Sequence, residues 1–236
     1  MAIKVLVTST SFGKVVKEPV ELLKKKGYQI TWNELGRPLK EDEVIERIKG
    51  VDAYIAGLDE ITAKAIRAAD KLKIISKYGA GVDNIDIEPA TRRKIVVTNT
   101  PGTNTEAVAD LTFGLMLTIA RKIPQADTST KKGEWKKFFG SAVYGRTLGI
   151  VGMGEIGKAV ARRAKGFNMR MLYWSRRRKL DIEEETGAKY TDYKFLLQEA
   201  DFVSLHLALT GETKIFKNSR SYSPGNGCPQ RSSFLY

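Results

Sequence analysis

Gly152-Met153-Gly154-Glu155-Ile156-Gly157 spells G-x-G-x-x-G, directly after an apolar run, Thr147 to Val151, that reads as a strand, and at the opening of a stretch that reads as a helix. In that setting each glycine has a task. Gly152 allows a tight turn, Gly154 lets the backbone approach a pyrophosphate, and Gly157 permits close packing of helix on strand. The unpaired N–H groups of the helix's first turn complete an anion site. A glycine-rich turn without a ligand is the competing explanation, and the strand before and helix after count against it.

A dinucleotide fold that prefers NAD places an acid at the end of its second strand, about 20 residues on, to hold the ribose 2′-hydroxyl. Here that strand ends Tyr173-Trp174-Ser175-Arg176-Arg177-Arg178-Lys179. A hydroxyl followed by a run of cations suits a 2′-phosphate. NADP is therefore expected over NAD, with Ser175 and Arg176 as the contacts and at least one of Arg177, Arg178 and Lys179 a solvated loop cation. His206 is the only histidine. It ends a predicted strand, and no carboxylate stands at a spacing that would orient it, so it reads as a structural or cofactor contact and not as a proton donor.

The elements that must position these residues follow a βα rhythm. Apolar runs at Ile3 to Thr8, Tyr28 to Trp32, Ala53 to Ala56, Ile74 to Tyr78 and Ile95 to Asn99 alternate with helical patterns at Val15 to Lys26, Glu41 to Lys49, Ala63 to Ala69 and Ile87 to Arg93. This predicts one α/β domain over residues 1–100. A helix over Thr103 to Arg121, apolar nearly all round, must be buried between layers, domains or subunits. A polar stretch, Gln125 to Lys137, precedes a second βα series with strands at Thr147 to Val151, Met169 to Trp174, Lys189-Tyr190 and Asp201 to Leu205, giving a second domain over 101–214. Residues 215–236, rich in Ser, Pro, Gly and Asn, read as an irregular tail.

The chain has 236 residues, enough for one to two domains of roughly 150 residues each. Its net charge of +13 could attract phosphates, nucleic acid or an anionic surface. The Lys and Arg residues are dispersed over helices without a nucleic-acid-binding motif, so no nucleic-acid partner is expected. Cys228 is the only cysteine, which excludes an intramolecular disulfide framework, and one Cys with one His does not make a common zinc site. A reducing, cytoplasmic setting follows as the expectation. Ala107 to Ala120, the longest mostly apolar stretch, is shorter than the roughly 20 residues a membrane helix needs.

Several segments together resemble the D-isomer-specific 2-hydroxyacid dehydrogenases, and within them phosphoglycerate dehydrogenases and glyoxylate or hydroxypyruvate reductases. Lys77-Tyr78-Gly79-Ala80-Gly81-Val82-Asp83-Asn84-Ile85-Asp86 is similar to the family's substrate loop, and Val97 to Gly102 to its interdomain crossing. Glu106 to Asp110 resembles the start of its long helix, and Asp201 to His206 the strand on the nicotinamide side. The resemblance implies a flavodoxin-like substrate domain followed by a Rossmann dinucleotide-binding domain, and hydride transfer between NAD(P)H and a small 2-oxo or 2-hydroxy acid. Carried over by position, the backbone around Gly79, Ala80 and Gly81 holds the substrate carboxylate, assisted by Asn104, and Glu155 and Ile156 meet the pyrophosphate. Ser175 takes the place of the acid in NAD-preferring members. The nearly all-apolar helix suggests a homodimer.

The family pattern breaks after Glu212-Thr213-Lys214. The arginine, glutamate and proton-donating histidine that family members carry beyond this point have no counterpart in Ile215 to Tyr236. The expectation is a truncated or frame-shifted dehydrogenase, with Asp201 to Leu205 left as a bare sheet edge. A non-catalytic cofactor-binding module is the alternative.

Overall fold

The computed structural model describes residues 2–208, 210, 213 and 233–235. It divides into two compact units, Met1–Thr103 and Asn104–Tyr236. The division falls just beyond the expected residue 100: Thr103 stays with the first unit, its hydroxyl donating to the Thr100 carbonyl at 3.0 Å.

The first unit is a parallel sheet of β1 (Lys4–Val7), β2 (Gln29–Trp32), β3 (Ala53–Ala56), β4 (Ile74–Lys77) and β5 (Val96–Thr98), in the order β2-β1-β3-β4-β5. This is the flavodoxin-like order, whose direction reverses between β1 and β3. Helices α1 (Glu18–Lys25), α2 (Glu41–Arg47), α3 (Ala63–Ala68) and α4 (Ile87–Arg92) fall between the strands in sequence. Short runs of β-branched and apolar residues make the strands, because both faces of a parallel sheet are covered. Leu6, Tyr54 and Ile75, from three neighbouring strands, are fully buried with Val44 and Ile66 from the helices and Ile48 at the end of α2.

The second unit opens with α5 (Thr105–Ala120) and α6 (Ile123–Lys131). The stretch read as merely polar thus begins with a helix. Lys122, in the left-handed region at φ 53°, breaks α5 from α6, and Pro124 sits in the first turn of α6, where its missing N–H costs nothing. The sheet follows: β6 (Thr147–Val151), β7 (Arg170–Trp174), β8 (Lys189–Tyr190), β9 (Phe202–Leu205) and β10 (Ser233–Leu235), all parallel, ordered β10-β9-β6-β7-β8. Helices α7 (Glu155–Gly166), α8 (Leu180–Thr186) and α9 (Tyr193–Glu199) connect them. The order is that of a Rossmann sheet from its third strand to its fifth.

Two expectations about the C-terminal part are corrected here. Residues 233–235 are a strand and not irregular, and they pair with β9 in the register Ser233↔Phe202, Phe234↔Val203, Leu235↔Ser204, so β9 is not a bare edge. A short β-prone run takes the N–H and C=O groups that an edge of Val and Leu would leave unpaired. The rest of the expected irregular tail, Cys228 included, lies outside the described residues.

The helix α5 packs one face on α7. Phe113 stacks on Phe167 at 5.1 Å between ring centroids, and Ala109, Met116 and Ala120 are buried with Ala159, Val160 and Ala164. Its other face leaves Leu111, Leu115 and Ile119 exposed, and Ile123 at the start of α6 is exposed too. No helix among the described residues is long and apolar enough to cross a membrane.

Candidate functional site

The turn from β6 into α7 demands its glycines sterically. Gly152 has φ +100°, and a Cβ there would stand 2.5 Å from the carbonyl oxygen of His206. A Cβ on Gly157 would stand 2.2 Å from the carbonyl oxygen of Gly152, so helix and turn meet backbone to backbone. Gly154 is different. It caps α7 without a side-chain hydrogen bond, and a Cβ there would meet nothing within 4 Å. The first intrahelical bond runs from Lys158 N–H to the Gly154 carbonyl at 2.9 Å, which leaves the first-turn N–H groups of Glu155, Ile156 and Gly157 without helical partners. Unpaired N–H groups at a helix N-terminus, with room for close approach at Gly154, fit a pyrophosphate.

The Gly152 N–H donates to the Trp174 carbonyl at 2.8 Å, which places the end of β7 beside the turn. Ser175 follows, buried, its hydroxyl donating to the Arg177 carbonyl at 2.6 Å. Arg176 and Arg177 are exposed and make no ion pair among the described residues. His206 lies past β9, its N–H on the Val151 carbonyl at 2.7 Å and its Nε2 2.8 Å from the Ser204 hydroxyl. Burial pushes its imidazole down to about 4, so the ring is neutral at ordinary pH.

In the first unit, the loop after β4 carries Gly79, Ala80 and Gly81. Gly79 donates its own N–H to the Lys77 carbonyl at 3.0 Å and accepts from Thr100 N–H at 3.0 Å. Asn99 Nδ2 holds the Ala80 carbonyl at 2.7 Å. The N–H groups of Ala80 and Gly81 donate to no acceptor among the described residues. A cavity of about 270 Å³ opens at the carboxyl ends of the strands, where the sheet order reverses, lined by Thr8 to Ser11 with Gly57, Leu58 and Tyr78 and by no Lys or Arg.

Residues 113–223 match the family model described as the NAD binding domain of D-isomer specific 2-hydroxyacid dehydrogenases. A glyoxylate reductase of Thermococcus litoralis is 51% identical over 180 residues, covering 72% of this chain and 54% of the relative. The chain belongs to the D-isomer-specific 2-hydroxyacid dehydrogenase family. Among solved structures of similar fold, the TT0316 protein of Thermus thermophilus superposes with a TM-score of 0.78 at 38% identity, over 89% of this chain and 67% of that one. D-lactate dehydrogenase of Aquifex aeolicus, solved with NAD and lactic acid, superposes with 0.73 at 27% identity, over 89% and 62%. This family member spans about half the length of the Thermococcus litoralis relative.

Within this chain the fingerprint residues, Ser175, Arg176 and His206 gather around the ends of β6, β7 and β9. Gly79, Ala80 and Gly81 form a separate loop in the first unit. Asn104 begins the second unit as the cap of α5, its side chain making no capping bond and its carbonyl accepting from Val108 N–H at 2.9 Å. Sequence reading gave no individual role to three residues that shape the loop after β4, Lys77, Asn84 and Asp59. A cation closing the strand that opens Ile74-Ile75 was the available signal for Lys77. It also missed that Arg163 of α7 binds both Glu106, at 2.8 Å, and Asp110, at 2.7 Å, which ties the start of α5 to the helix of the fingerprint.

Proposed function

We propose that this chain carries the cofactor-binding and carboxylate-binding parts of an NADPH-dependent oxidoreductase that interconverts a small 2-oxo acid and its D-2-hydroxy acid, glyoxylate or hydroxypyruvate being the oxo acid. The turn of Gly152 to Gly157 carries this reading: two of its glycines are required by backbone contacts, and the third has room around it at the start of a helix whose first N–H groups lack helical partners.

The nicotinamide, when bound, supplies the hydride for carbon 2 of the oxo acid. The first turn of α7 holds the pyrophosphate, and Arg176 with Arg177 neutralises the 2′-phosphate. Ser175 closes the loop beneath them. The Ala80 and Gly81 amides hold the substrate carboxylate as fixed donors, with Gly79 shaping the loop and Asn104 assisting. Burial keeps the His206 imidazole neutral at neutral pH, which suits a contact on the cofactor side. The glyoxylate reductase of Thermococcus litoralis, 51% identical over 180 residues, supports an unphosphorylated substrate over one like phosphoglycerate. NAD in place of NADP remains the alternative that titration decides.

The exposed row of Leu111, Leu115 and Ile119 on α5 supports a homodimer through the second unit, which sedimentation at several concentrations tests. Cys228 as the only cysteine supports a cytoplasmic setting. One second reading, a nucleotide-binding module without turnover, is favoured by the intact fingerprint turn, which can hold a nucleotide without any catalytic group.

Fluorescence titration with NADPH and NADH, followed by addition of glyoxylate, hydroxypyruvate or 3-phosphohydroxypyruvate with absorbance read at the nicotinamide band, separates these. NADPH binding with oxidation by glyoxylate or hydroxypyruvate is the expected result. Binding without oxidation selects the module, and no binding of either nucleotide removes both readings.

A further inference from the structure

The two ends of the loop that carries Ala80 and Gly81 are tied together by side chains. Lys77 is the last residue of β4, Asn84 closes the loop, and Lys77 Nζ donates to Asn84 Oδ1 at 2.8 Å. Both side chains also reach one carbonyl. Lys77 Nζ donates to Gly57 O, and Asn84 Nδ2 donates to the same oxygen at 3.3 Å and to Asp59 O at 2.6 Å. The turn that supplies those carbonyls is itself anchored. The buried Asp59 carboxylate accepts from Leu39 N–H at 2.8 Å, from Gly57 N–H at 2.9 Å and from the Thr8 hydroxyl.

Lys77 is only 3% exposed, and its stem runs against the loop: a Cβ on Gly79 would lie 3.7 Å from Lys77 Cε. Burial pushes the ammonium below the ordinary lysine value, opposed by the charges of Asp83 and Asp59. Keeping an ammonium there carries a desolvation cost that a methionine of similar length would avoid. What the ammonium has and methionine lacks is several donors on one atom, enough to join two acceptors from different loops.

We propose that Lys77 is a positioning residue: by joining Asn84 to the Gly57 carbonyl it fixes the span of residues 78–83 and so aims the free amides of Ala80 and Gly81 at the substrate carboxylate. The proposal rests on reading those amides as the carboxylate site. Its physical basis is that amide donors contribute only when their direction is set before the anion arrives, and a displacement of about 1 Å costs about 100-fold. The strap sets that direction from both ends of the loop at once.

The test is Lys77→Met in the full chain, with two readouts. Hydrogen exchange at residues 79–84 should quicken about tenfold relative to the rest of the sheet, as a local opening would produce. The kcat/KM for glyoxylate should fall about 100-fold through KM, while the KM for NADPH stays unchanged. A lysine that served the fold alone would lower the melting temperature and leave the glyoxylate KM where it was, and that result overturns the proposal. Asn84→Ala, which cuts the strap but leaves Lys77 on Gly57, should show both changes to a smaller degree and decides the matter where Lys77→Met does not fold. A wild-type chain that oxidises NADPH with no 2-oxo acid overturns the functional reading by itself. Unchanged loop exchange in both variants overturns the strap whatever the wild type turns over.

Discussion

Arg178 commits its guanidinium to Glu183, Nε at 2.8 Å from one carboxylate oxygen and Nη2 at 2.7 Å from the other. The same carboxylate accepts the Tyr173 hydroxyl at 2.7 Å, and that hydroxyl accepts the Lys179 N–H at 2.7 Å. One cation of the basic run after β7 is thereby withdrawn from ligand binding, and the loop's shape is set by its own helix. Arg176 and Arg177 are left facing solvent.

Arg176→Ala should weaken NADPH binding about tenfold and leave NADH binding unchanged, because a charge-assisted bond to the 2′-phosphate exists for only one of the two nucleotides. The loss should shrink at high salt, as expected for an exposed charge. Glu183→Gln, which frees Arg178, should tighten NADPH. Fluorescence titration at two ionic strengths measures all three effects, and equal weakening of both nucleotides by Arg176→Ala would remove the 2′-phosphate assignment.

The glycines of the fingerprint should separate into two kinds. Gly157→Ala puts a methyl against the Gly152 carbonyl and should destabilise the second unit by about 2 kcal/mol in urea denaturation. Gly154→Ala meets open space, so its cost in stability should stay near 1 kcal/mol, the difference between the two residues as helix caps. Nucleotide binding should be lost in Gly154→Ala all the same. A Gly154→Ala chain that binds NADPH normally would place the pyrophosphate elsewhere.

His206 ties stability to pH. Its folded-state value of about 4 lies below the ordinary 6.5, so between these values the unfolded chain binds a proton that the folded chain does not. Stability therefore falls as pH drops from 6.5 towards 4, by roughly 3 kcal/mol in all. Denaturation midpoints across that range, compared with His206→Gln, should show the wild type losing more. A parallel pair of curves would show that the ring titrates normally. No step with a value near 6 to 7 in a pH profile should trace to His206.

Asp59→Asn should be costly although it is nearly isosteric. One carboxylate oxygen receives Leu39 N–H and the other Gly57 N–H, so either orientation of the amide turns its NH2 against a backbone N–H. The expected loss is about 2 kcal/mol, read in urea denaturation of the full chain. A loss below about 0.5 kcal/mol, the size of an ordinary surface change, would mean the turn after β3 is not anchored by this group.

Much of this protein is legible in its sequence, and the legible parts have local causes. Alternating apolar runs and amphipathic stretches predict the βα series because periodicity is a property of neighbouring residues. The strands at Thr147–Val151 and Lys189–Tyr190 stand where those runs predict them. The Gly152 to Gly157 turn was readable because strand, turn and helix are consecutive. Even so, only the fold shows that the Gly152 carbonyl is what requires Gly157, and that His206 backs the turn. What the sequence left open was set by partners far apart along the chain. Lys77 means little until the sheet brings Gly57, twenty residues earlier, to its ammonium. Thr8 and Asp59 meet across 51 positions. Arg178 reads as one more loop cation until α8 turns Glu183 onto it. The strand at Ser233–Leu235 has no local signal strong enough to override its Ser-, Gly- and Pro-rich surroundings, and pairing with β9 makes it a strand. Periodicity and backbone sterics act within a few residues, whereas burial, charge pairing and sheet edges are satisfied only by whatever the folded chain brings alongside.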